Sequence, residues 1–205
     1  MPQTEDAGAD SFAISRNVAS FAFRDQGRWG ELRNLFHPDA QIAVTWYRGP
    51  VVGFIEGSAQ MSAAAGAAVS KHLIGVPRVT VSGSRALSDT DVIILARTKI
   101  GPLEVDVTSY LRFFDRFERR DDGVWRVACR TGVYEKDRID PVAPSPLFPL
   151  VYWLAGFHRF PPACRHLAGG LVRNGHALAM PIVEAGTEGE AALRRDAELW
   201  LTDAV

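Results

Sequence analysis

The sequence predicts an α+β protein in which helices come first and a long antiparallel sheet follows. Near the N-terminus, Ile14, Val18 and Phe21 recur at helical spacing and fall on one face. Runs rich in β-branched and aromatic residues then fill most of residues 71–140. A proline-rich break separates these runs from an aromatic tail, so the fold class rests on three independent features.

The first elements are predicted to be helical. Asp10 or Ser11 is expected to cap a helix that ends at Gly27, and the segment "RWGELRNLF" restarts as a second helix. The alternating run "AQIAVTWY" predicts a strand, and "GSAQMSAAAGAAVSK" is compatible with a further helix. His37 lies in the turn-like segment "FHPDA" between the second helix and this strand, and it is expected to be exposed.

Four long runs separated by turn-forming residues predict an antiparallel meander. On the third run, alternation places the odd-numbered residues from Leu103 to Phe113 on one face, which is expected to pack. Thr108 and Tyr110 fall on the other face, which is either solvated or lines a cavity. On the fourth run, alternation sets Arg130 opposite Trp125. As the most interior arginine, Arg130 is a candidate for binding an anionic group.

Four prolines within nine residues, from Pro141 to Pro149, end the sheet and divide the chain into a core domain, 1–142, and an extension, 143–205. The extension is predicted to be helical, with Thr187 and Glu190 as a capping box before its last helix. It is too apolar to remain in water, so it is expected to form a lid over the core or an oligomer contact. The aromatic residues that support this expectation are Phe148, Tyr152, Trp153 and Phe157.

Composition excludes several classes of function. The chain has 23 basic and 24 acidic residues and a net charge of -1, so it has no positive electrostatic field that would attract nucleic acid. It has no signal-like N-terminus and no apolar run long enough to span a membrane, so a cytoplasmic protein is expected. Two cysteines are too few for a disulfide framework, and the histidines lack the spacing of a metal site. No phosphate-binding loop or nucleophile elbow is present.

Asp25 and His72 are the candidate catalytic residues. Asp25 lies in phase with the apolar stripe of the first helix, where a carboxylate needs a partner or an altered pKa. It could instead cap the next helix and face solvent. His72 begins a predicted strand beside apolar neighbours, where it acts either as a base or as a core histidine bonded to a carbonyl.

The segments "FRDQGRWGELRNLFHPDAQI", "KHLIG" and "FERRDDGVWRVACRTGVYE" occur in this order, and together the chain resembles SnoaL-like proteins of the nuclear-transport-factor-like superfamily. The resemblance extends over residues 11 to 140. It implies a cone-shaped, curved antiparallel sheet wrapped around the N-terminal helices, with a pocket at its wide end. In the scytalone dehydratase and hexachlorocyclohexane dehydrochlorinase branch, an Asp and a His at the positions of Asp25 and His72 form the catalytic pair. Arg24 stands where several of the dehydratases have a tyrosine.

The resemblance implies a lyase or isomerase, a dehydratase, dehydrohalogenase or double-bond isomerase, that needs neither metal nor organic cofactor. Its expected partner is a hydrophobic cyclic small molecule, and a dimer or trimer of the chain is expected. The expected contacts with that molecule come from Trp46, Tyr47, Thr108, Tyr110, Arg130, Tyr152, Trp153 and Phe157. Two alternatives are an epoxide hydrolase or cyclase that uses Asp25, Asp106 and Arg97, and a binding or assembly module without catalysis.

Overall fold

A single eight-stranded sheet forms the centre of the molecule. The structure is a computed structural model, and it describes residues 4–64 and 70–203. The strands are β1 Phe36–Val44, β2 Tyr47–Pro50, β3 Ser70–Ile74, β4 Arg78–Ser82, β5 Arg85–Ile100, β6 Leu103–Arg119, β7 Trp125–Pro141 and β8 Val183–Glu184. The helices within the described residues are α1 Thr4–Ala19, α2 Trp29–Arg33, α3 Val51–Ala64, α4 Phe148–Ala155, α5 Arg165–Arg173 and α6 Glu188–Thr202. The end of the predicted third helix, residues 65–69, lies outside the described residues.

The strand order is β2-β1-β7-β6-β5-β3, with β4 also paired to β5 and β8 to β7. Neighbouring strands are antiparallel except for the pairs β1–β7 and β7–β8. The long strands β5, β6 and β7 form three of the four predicted runs of the meander. The first predicted run is divided into β3 and β4, which both pair with β5. The sheet is curved and not closed, and the helices before β5 lie in its hollow, as the resemblance implies.

The concave face of the sheet carries the main core. Residues paired directly across antiparallel strands share a face, so the row His72, Ile94, Ser109 and Asp137 lies on one side of the sheet. Phe113, on the same face of β6, packs with the apolar stripe of the N-terminal helices. The stripe residues Ile14, Val18 and Phe21 are all buried, as their spacing predicts.

The start of the first helix differs from the prediction. α1 begins at Thr4, so Asp10 lies inside the helix and is not its cap. The buried Asp10 carboxylate accepts hydrogen bonds from Trp125 Nε1 at 2.7 Å and from Arg119 Nη1 at 2.8 Å. These two partners keep the carboxylate within the fold. The helix also ends earlier than predicted, because α1 stops at Ala19 and the 3-10 turn Ser20–Phe23 follows it. The chain does break at Gly27, which has a φ of 67°.

A β-bulge in β7 corrects the predicted position of Arg130. Phe117 pairs with Val127 and Arg116 pairs with Cys129, so one residue of β7, Ala128, is extra. Alternation shifts at this residue, and Arg130 lies on the same buried face as Val127. Trp125 shares this face, so the prediction that Arg130 lies opposite Trp125 was wrong, because simple alternation assumes a regular strand.

The prediction for His37 was also wrong. His37 lies within β1 and is buried, with Nε2 3.1 Å from the Glu118 carbonyl oxygen. The residue lies where β1 begins, between Phe36 and Pro38. Turn-forming residues after it hid the strand from sequence patterning, because Pro and Asp are rare inside strands.

The C-terminal extension packs on both faces of the sheet. Residues between α4 and β8 complete the concave side, where Phe160, Leu167 and Leu178 contact the main core. The end of the hollow contains a distal cluster: Ile100, Val105, Val107, Ile139 and Phe157. Helix α6 packs instead on the convex face, where Ala197 is buried against Phe114 and Val133. In the described part of the chain no helix combines the length and hydropathy needed to cross a membrane.

Candidate active site

Asp25 is positioned by a tight turn at the end of the N-terminal helical segment. The 3-10 turn Ser20–Phe23 buries Phe21, and the Asp25 N–H donates to the Ala22 carbonyl at 3.1 Å. This geometry directs the carboxylate to the beginning of β3. Helix α2 is preceded by Arg28, without a side-chain cap, so the alternative in which Asp25 caps that helix is wrong.

Asp25 binds His72 at two points. The backbone N–H of His72 donates to Oδ2 at 2.6 Å, and the ring Nδ1 lies 2.8 Å from Oδ1. Because an ionised carboxylate only accepts hydrogen bonds, Nδ1 carries the proton and Nε2 carries the lone pair. Nε2 has no hydrogen-bond partner among the residues that the structure describes, where the His72 ring forms hydrogen bonds only through Nδ1. The predicted contact between the two residues is therefore confirmed, and their catalytic role stays a prediction.

Electrostatics favour an ionised Asp25 beside a neutral His72. Burial alone raises the pKa of Asp25, but the hydrogen bonds from His72 and the charge of Arg24 outweigh burial and lower that pKa below 3.8. Burial lowers the pKa of His72 below 6.5, and Arg24 and Arg130 lower it further, against the opposing effect of Asp25. At neutral pH, Asp25 is therefore an ionised carboxylate that is hydrogen-bonded to the neutral imidazole of His72.

Arg24 is a neighbour of the pair that sequence patterning did not select as a site residue. Its Nη1 lies 3.3 Å from Asp25 Oδ1, and burial lowers the pKa of its guanidinium. The charge partly neutralises the carboxylate, which lets Asp25 remain ionised in a site where it is only 11% exposed. The signal for Arg24 was its position directly before a buried acid.

Arg130 faces the same interior. Its guanidinium lies over the Phe21 ring at 4.7 Å and over the Phe113 ring at 4.2 Å, and Phe21 also contacts the His72 ring edge-on at 5.5 Å. Phe21 thus links Arg130 to the pair Asp25–His72. Arg130 itself is 1% exposed.

Asp115 neutralises Arg130. Two parallel hydrogen bonds join Arg130 Nε and Nη2 to the Asp115 carboxylate at 2.8 and 2.7 Å. The remaining nitrogen, Nη1, has no partner among the described residues. Nη1 is therefore a buried hydrogen-bond donor on a guanidinium whose charge is already balanced by Asp115. Sequence patterning missed Asp115, although continuing the buried face of β6 two residues beyond Phe113 reaches it.

Trp46 and Tyr47 are connected to the pair Asp25–His72 only through contacts with other aromatic rings. Trp46 stacks on Phe54 at 5.4 Å, Phe54 lies 6.3 Å from Phe21, and Phe21 contacts His72. Tyr47 also contacts Phe54, while its hydroxyl donates to the Pro50 carbonyl at 2.7 Å. The two predicted residues therefore belong to the aromatic wall of the site and do not touch the pair directly.

Thr108 and Tyr110 do not belong to this site, which corrects the prediction that they contact a substrate. They alternate with Ser109, whose side chain shares the concave face with His72. Tyr110 lies on the convex face beside Lys136, whose amine is 5.0 Å from the ring. The sequence predicted the two faces of β6 correctly but could not say which face lined the interior.

Tyr152 and Phe157 pack in the distal cluster, and Trp153 is 70% exposed. The structure does not bring these three residues to the pair Asp25–His72, which corrects the prediction that they contact a substrate there. The proline hinge carries α4 to the far end of the hollow. Other residues of the extension approach the site instead, including His176, whose ring lies 6.4 Å from Trp46.

Arg97 and Asp106, the extra residues required by the epoxide hydrolase alternative, pair with each other on the convex face. Two hydrogen bonds of 2.8 Å join them, and both side chains are about half exposed. They are separated from Asp25 by the sheet, because Asp106 alternates with the buried Val105 and Val107. The structure therefore does not assemble that site.

The fold and the buried His–Asp pair define a SnoaL-like protein. The model of the SnoaL-like domain family matches residues 9–131, so the chain belongs to that family. Pea pathogenicity protein 2 of Fusarium vanettenii is 31% identical over 78% of this chain and 71% of its own length. A PEP2-like protein of the same organism is 31% identical over 72% of this chain and 62% of its own length.

Solved structures show the same fold. A protein assigned as a scytalone dehydratase from Novosphingobium aromaticivorans matches with a TM-score of 0.55 and 18% identity, over 70% of this chain and 99% of its own. A hexachlorocyclohexane dehydrochlorinase matches with a TM-score of 0.51 and 21% identity, over 68% of this chain and 93% of its own. At these identities the likeness is one of fold.

Proposed function

We propose that this protein is a cofactor-independent lyase or isomerase that removes a proton from an activated carbon of a hydrophobic cyclic small molecule. One observation carries the proposal: Asp25 binds both the backbone and Nδ1 of His72, and no described residue forms a hydrogen bond with Nε2. A neutral, oriented imidazole is the group that general base catalysis requires near neutral pH.

In the proposed reaction, Nε2 of His72 accepts the proton and the electrons of the C–H bond form a new double bond. In an elimination, the group on the adjacent carbon departs with its bonding electrons, and the imidazolium can return the proton to a departing hydroxyl as water. In an isomerisation, the imidazolium returns the proton to another carbon. The Asp25 carboxylate stabilises the imidazolium in either case.

Arg130 is proposed to stabilise negative charge that develops on the substrate. Asp115 already balances its charge, so Nη1 suits a neutral oxygen, such as a carbonyl, better than the anionic group that the sequence suggested. As a carbonyl becomes an enolate, a hydrogen bond from this buried donor strengthens. The lack of a partner for Nη1 within the described part of the chain supports this role.

The surroundings of the pair support a hydrophobic ring as substrate. Phe21, Phe54 and Trp46 form a continuous aromatic wall beside His72. The side chains of His72 and Asp25 are only 8% and 11% exposed, so a substrate reaches Nε2 by displacing part of this packing. The alternative of a non-catalytic binding module is less well supported, because it does not require an oriented base beside a buried donor.

The proposal can be tested without knowing the natural substrate. Protein in heavy water is incubated with 1-tetralone, a bicyclic ketone, and NMR follows exchange of the proton next to the carbonyl. We expect exchange above the buffer rate, and a loss by a factor of about a hundred to ten thousand in His72→Ala. Asp25→Asn should also lose most of the rate, because it removes the charge that stabilises imidazolium.

His158→Ala is the matched control, since His158 is exposed and lies outside the site. Circular dichroism shows whether each variant keeps its fold. Mass spectrometry of small molecules that copurify with the wild type extends the test to substrates unlike 1-tetralone. A folded His72→Ala protein that turns over its identified substrate at the wild-type rate would disprove the proposal.

A further inference from the structure

Helix α4 presents an apolar face that nothing in the described part of the chain covers. Its inner face, with Tyr152, packs in the distal cluster. On its outer side, four residues span roughly 120° of the helix, so they form one surface. They are each more than half exposed: Leu147 53%, Leu150 56%, Trp153 70% and Leu154 67%. This surface is called the α4 patch below.

The chain around the α4 patch is basic. Residues 141–183 contain three arginines, three histidines and no aspartate, glutamate or lysine, although the whole chain has a net charge of -1. Two of the arginines lie at the end of α4. Arg159 packs against Gly156, which follows the helix, and Arg173 Nη1 donates to the Ala155 carbonyl at 3.0 Å.

Most carboxylates near residues 141–183 already form ion pairs with other arginines. Asp106 pairs with Arg97, and Asp140 pairs with Arg138. Glu104 lies beside the start of the segment, where its carbonyl accepts a hydrogen bond from the Val142 N–H at 3.0 Å. The end of α4 that carries Trp153 and Leu154 is therefore the basic end.

We propose that the α4 patch docks on an anionic membrane surface. Helix α4 is about 12 Å long and carries Trp and Leu side chains beside arginines, the combination that lies in the boundary between lipid headgroups and acyl chains. Trp153 and Leu154 enter that boundary, and Arg159 and Arg173 contact lipid phosphates. Binding of this kind needs no membrane span.

Charge disfavours a second copy of the chain as the occupant. A twofold contact through the α4 patch places the same surface on both sides, so a segment with net positive charge packs against another copy of itself. The segment offers no carboxylate to pair with them. Anionic lipid supplies the missing negative charge.

Cosedimentation of the full chain with lipid vesicles tests the proposal. We expect binding to vesicles of equal parts phosphatidylcholine and phosphatidylserine, weaker binding to phosphatidylcholine alone, and release by salt. A double variant, Trp153→Ser with Leu154→Ser, should lower the partition coefficient for binding to the mixed vesicles by roughly tenfold or more. Arg159→Gln should lower it about fivefold.

Two controls match these variants. Leu199→Ser removes a leucine that is 64% exposed on α6, away from the α4 patch, and Arg195→Gln removes an exposed arginine on the same helix. Neither should change vesicle binding. The proposal is overturned if the wild type does not bind the mixed vesicles, or if both sets of variants bind equally. It is also overturned if Trp153→Ser with Leu154→Ser separates an oligomer in sedimentation velocity and vesicle binding is unchanged.

Discussion

A single carboxylate determines the tautomer of His72. Asp25 accepts one hydrogen bond from the backbone N–H and one from Nδ1, so the ring can neither rotate nor move its proton without losing a contact. Arg24 and Arg130 bring positive charge close to the same ring and disfavour its protonation. The base is therefore neutral over a wider pH range than a free histidine.

The first prediction concerns Arg24 and pH. The base works only when neutral, so proton abstraction should fall as pH drops through the pKa of His72, which lies below 6.5. Arg24→Gln removes a charge that lowers this pKa, so the acid limb of kcat/KM should move to higher pH. NMR titration of the His72 ring measures the same shift without a substrate.

Arg28→Gln serves as the control for Arg24, because Arg28 pairs with Glu31 and its side chain is 47% exposed. Its pH profile should match that of the wild type. A His72 pKa that stays constant or decreases in Arg24→Gln would contradict the electrostatic account.

At the scale of elements, helix α5 is anchored to the sheet by one buried acid. The Asp137 carboxylate, on β7, accepts hydrogen bonds from the His166 N–H at 2.7 Å and the Leu167 N–H at 2.9 Å, and lies 2.8 Å from His166 Nδ1. These N–H groups belong to the first turn of the helix, which has no partners of its own for them. The Tyr152 hydroxyl lies 3.1 Å from His166 Nε2 and ties α4 to the same point.

Two adjacent glycines of α5 provide the second prediction. A Cβ at Gly169 would lie 2.7 Å from the buried Phe157 ring, whereas a Cβ at Gly170 would meet nothing within 4 Å. Gly169→Ala should therefore lower the free energy of unfolding by about 1–3 kcal/mol through overpacking. Gly170→Ala should raise it by about 0.5–1 kcal/mol, because alanine favours the helix.

Chemical denaturation of the two variants beside the wild type measures both changes. The glycines are neighbours in one helix, so differences in helix propensity cancel in the comparison. Equal stability of the two variants would mean that Phe157 does not pack against α5 as described.

At the scale of the whole molecule, helix α6 is held on the convex face by a network of charges. Glu190 accepts hydrogen bonds from Arg112 at 2.6 Å, from Arg194 at 2.9 Å and from the Gly186 N–H at 2.8 Å. The predicted helix start at Thr187 is confirmed, but Thr187 and Glu190 do not form the predicted capping box. Arg112, on β6, provides a stronger partner for the carboxylate.

The third prediction concerns acid stability. Burial opposes ionisation of Glu190, but its hydrogen bonds to Gly186, Arg112 and Arg194 outweigh burial and lower its pKa to about 2. A folded-state pKa below the ordinary value stabilises the fold above pH 4.5 and loses that contribution as pH falls towards 2. The contribution is at most ~3 kcal/mol. Glu190→Gln should therefore flatten the pH dependence of the unfolding free energy in this window.

Denaturation monitored by tryptophan fluorescence measures this effect, since Trp200 on α6 contacts Arg85 and Arg116 of the sheet. Glu188→Gln is the matched control, because that side chain is 80% exposed. If the wild type and Glu190→Gln lose stability in parallel between pH 4.5 and 2, the network does not stabilise the docking of α6.

The sequence by itself determined the order of helices and strands, the packed face of β6 and the identity of the pair Asp25–His72. Each follows from short-range patterns: a helical repeat for Phe21, alternation for Leu111, and an acid in phase with an apolar stripe for Asp25. The resemblance to SnoaL-like proteins added the curvature of the sheet and the meeting of two residues 47 positions apart.

Only the tertiary structure decided which groups surround the pair. A single extra residue in β7 turns Arg130 to the interior, and local alternation cannot reveal a bulge because it depends on pairing with β6. Pairing with β3 and β5 assigns Ser109 to the hollow and Thr108 and Tyr110 to the outside. The extension divides between the two faces for the same physical reason: apolar residues pack where a complementary surface is available, and that surface exists only once distant strands have come together.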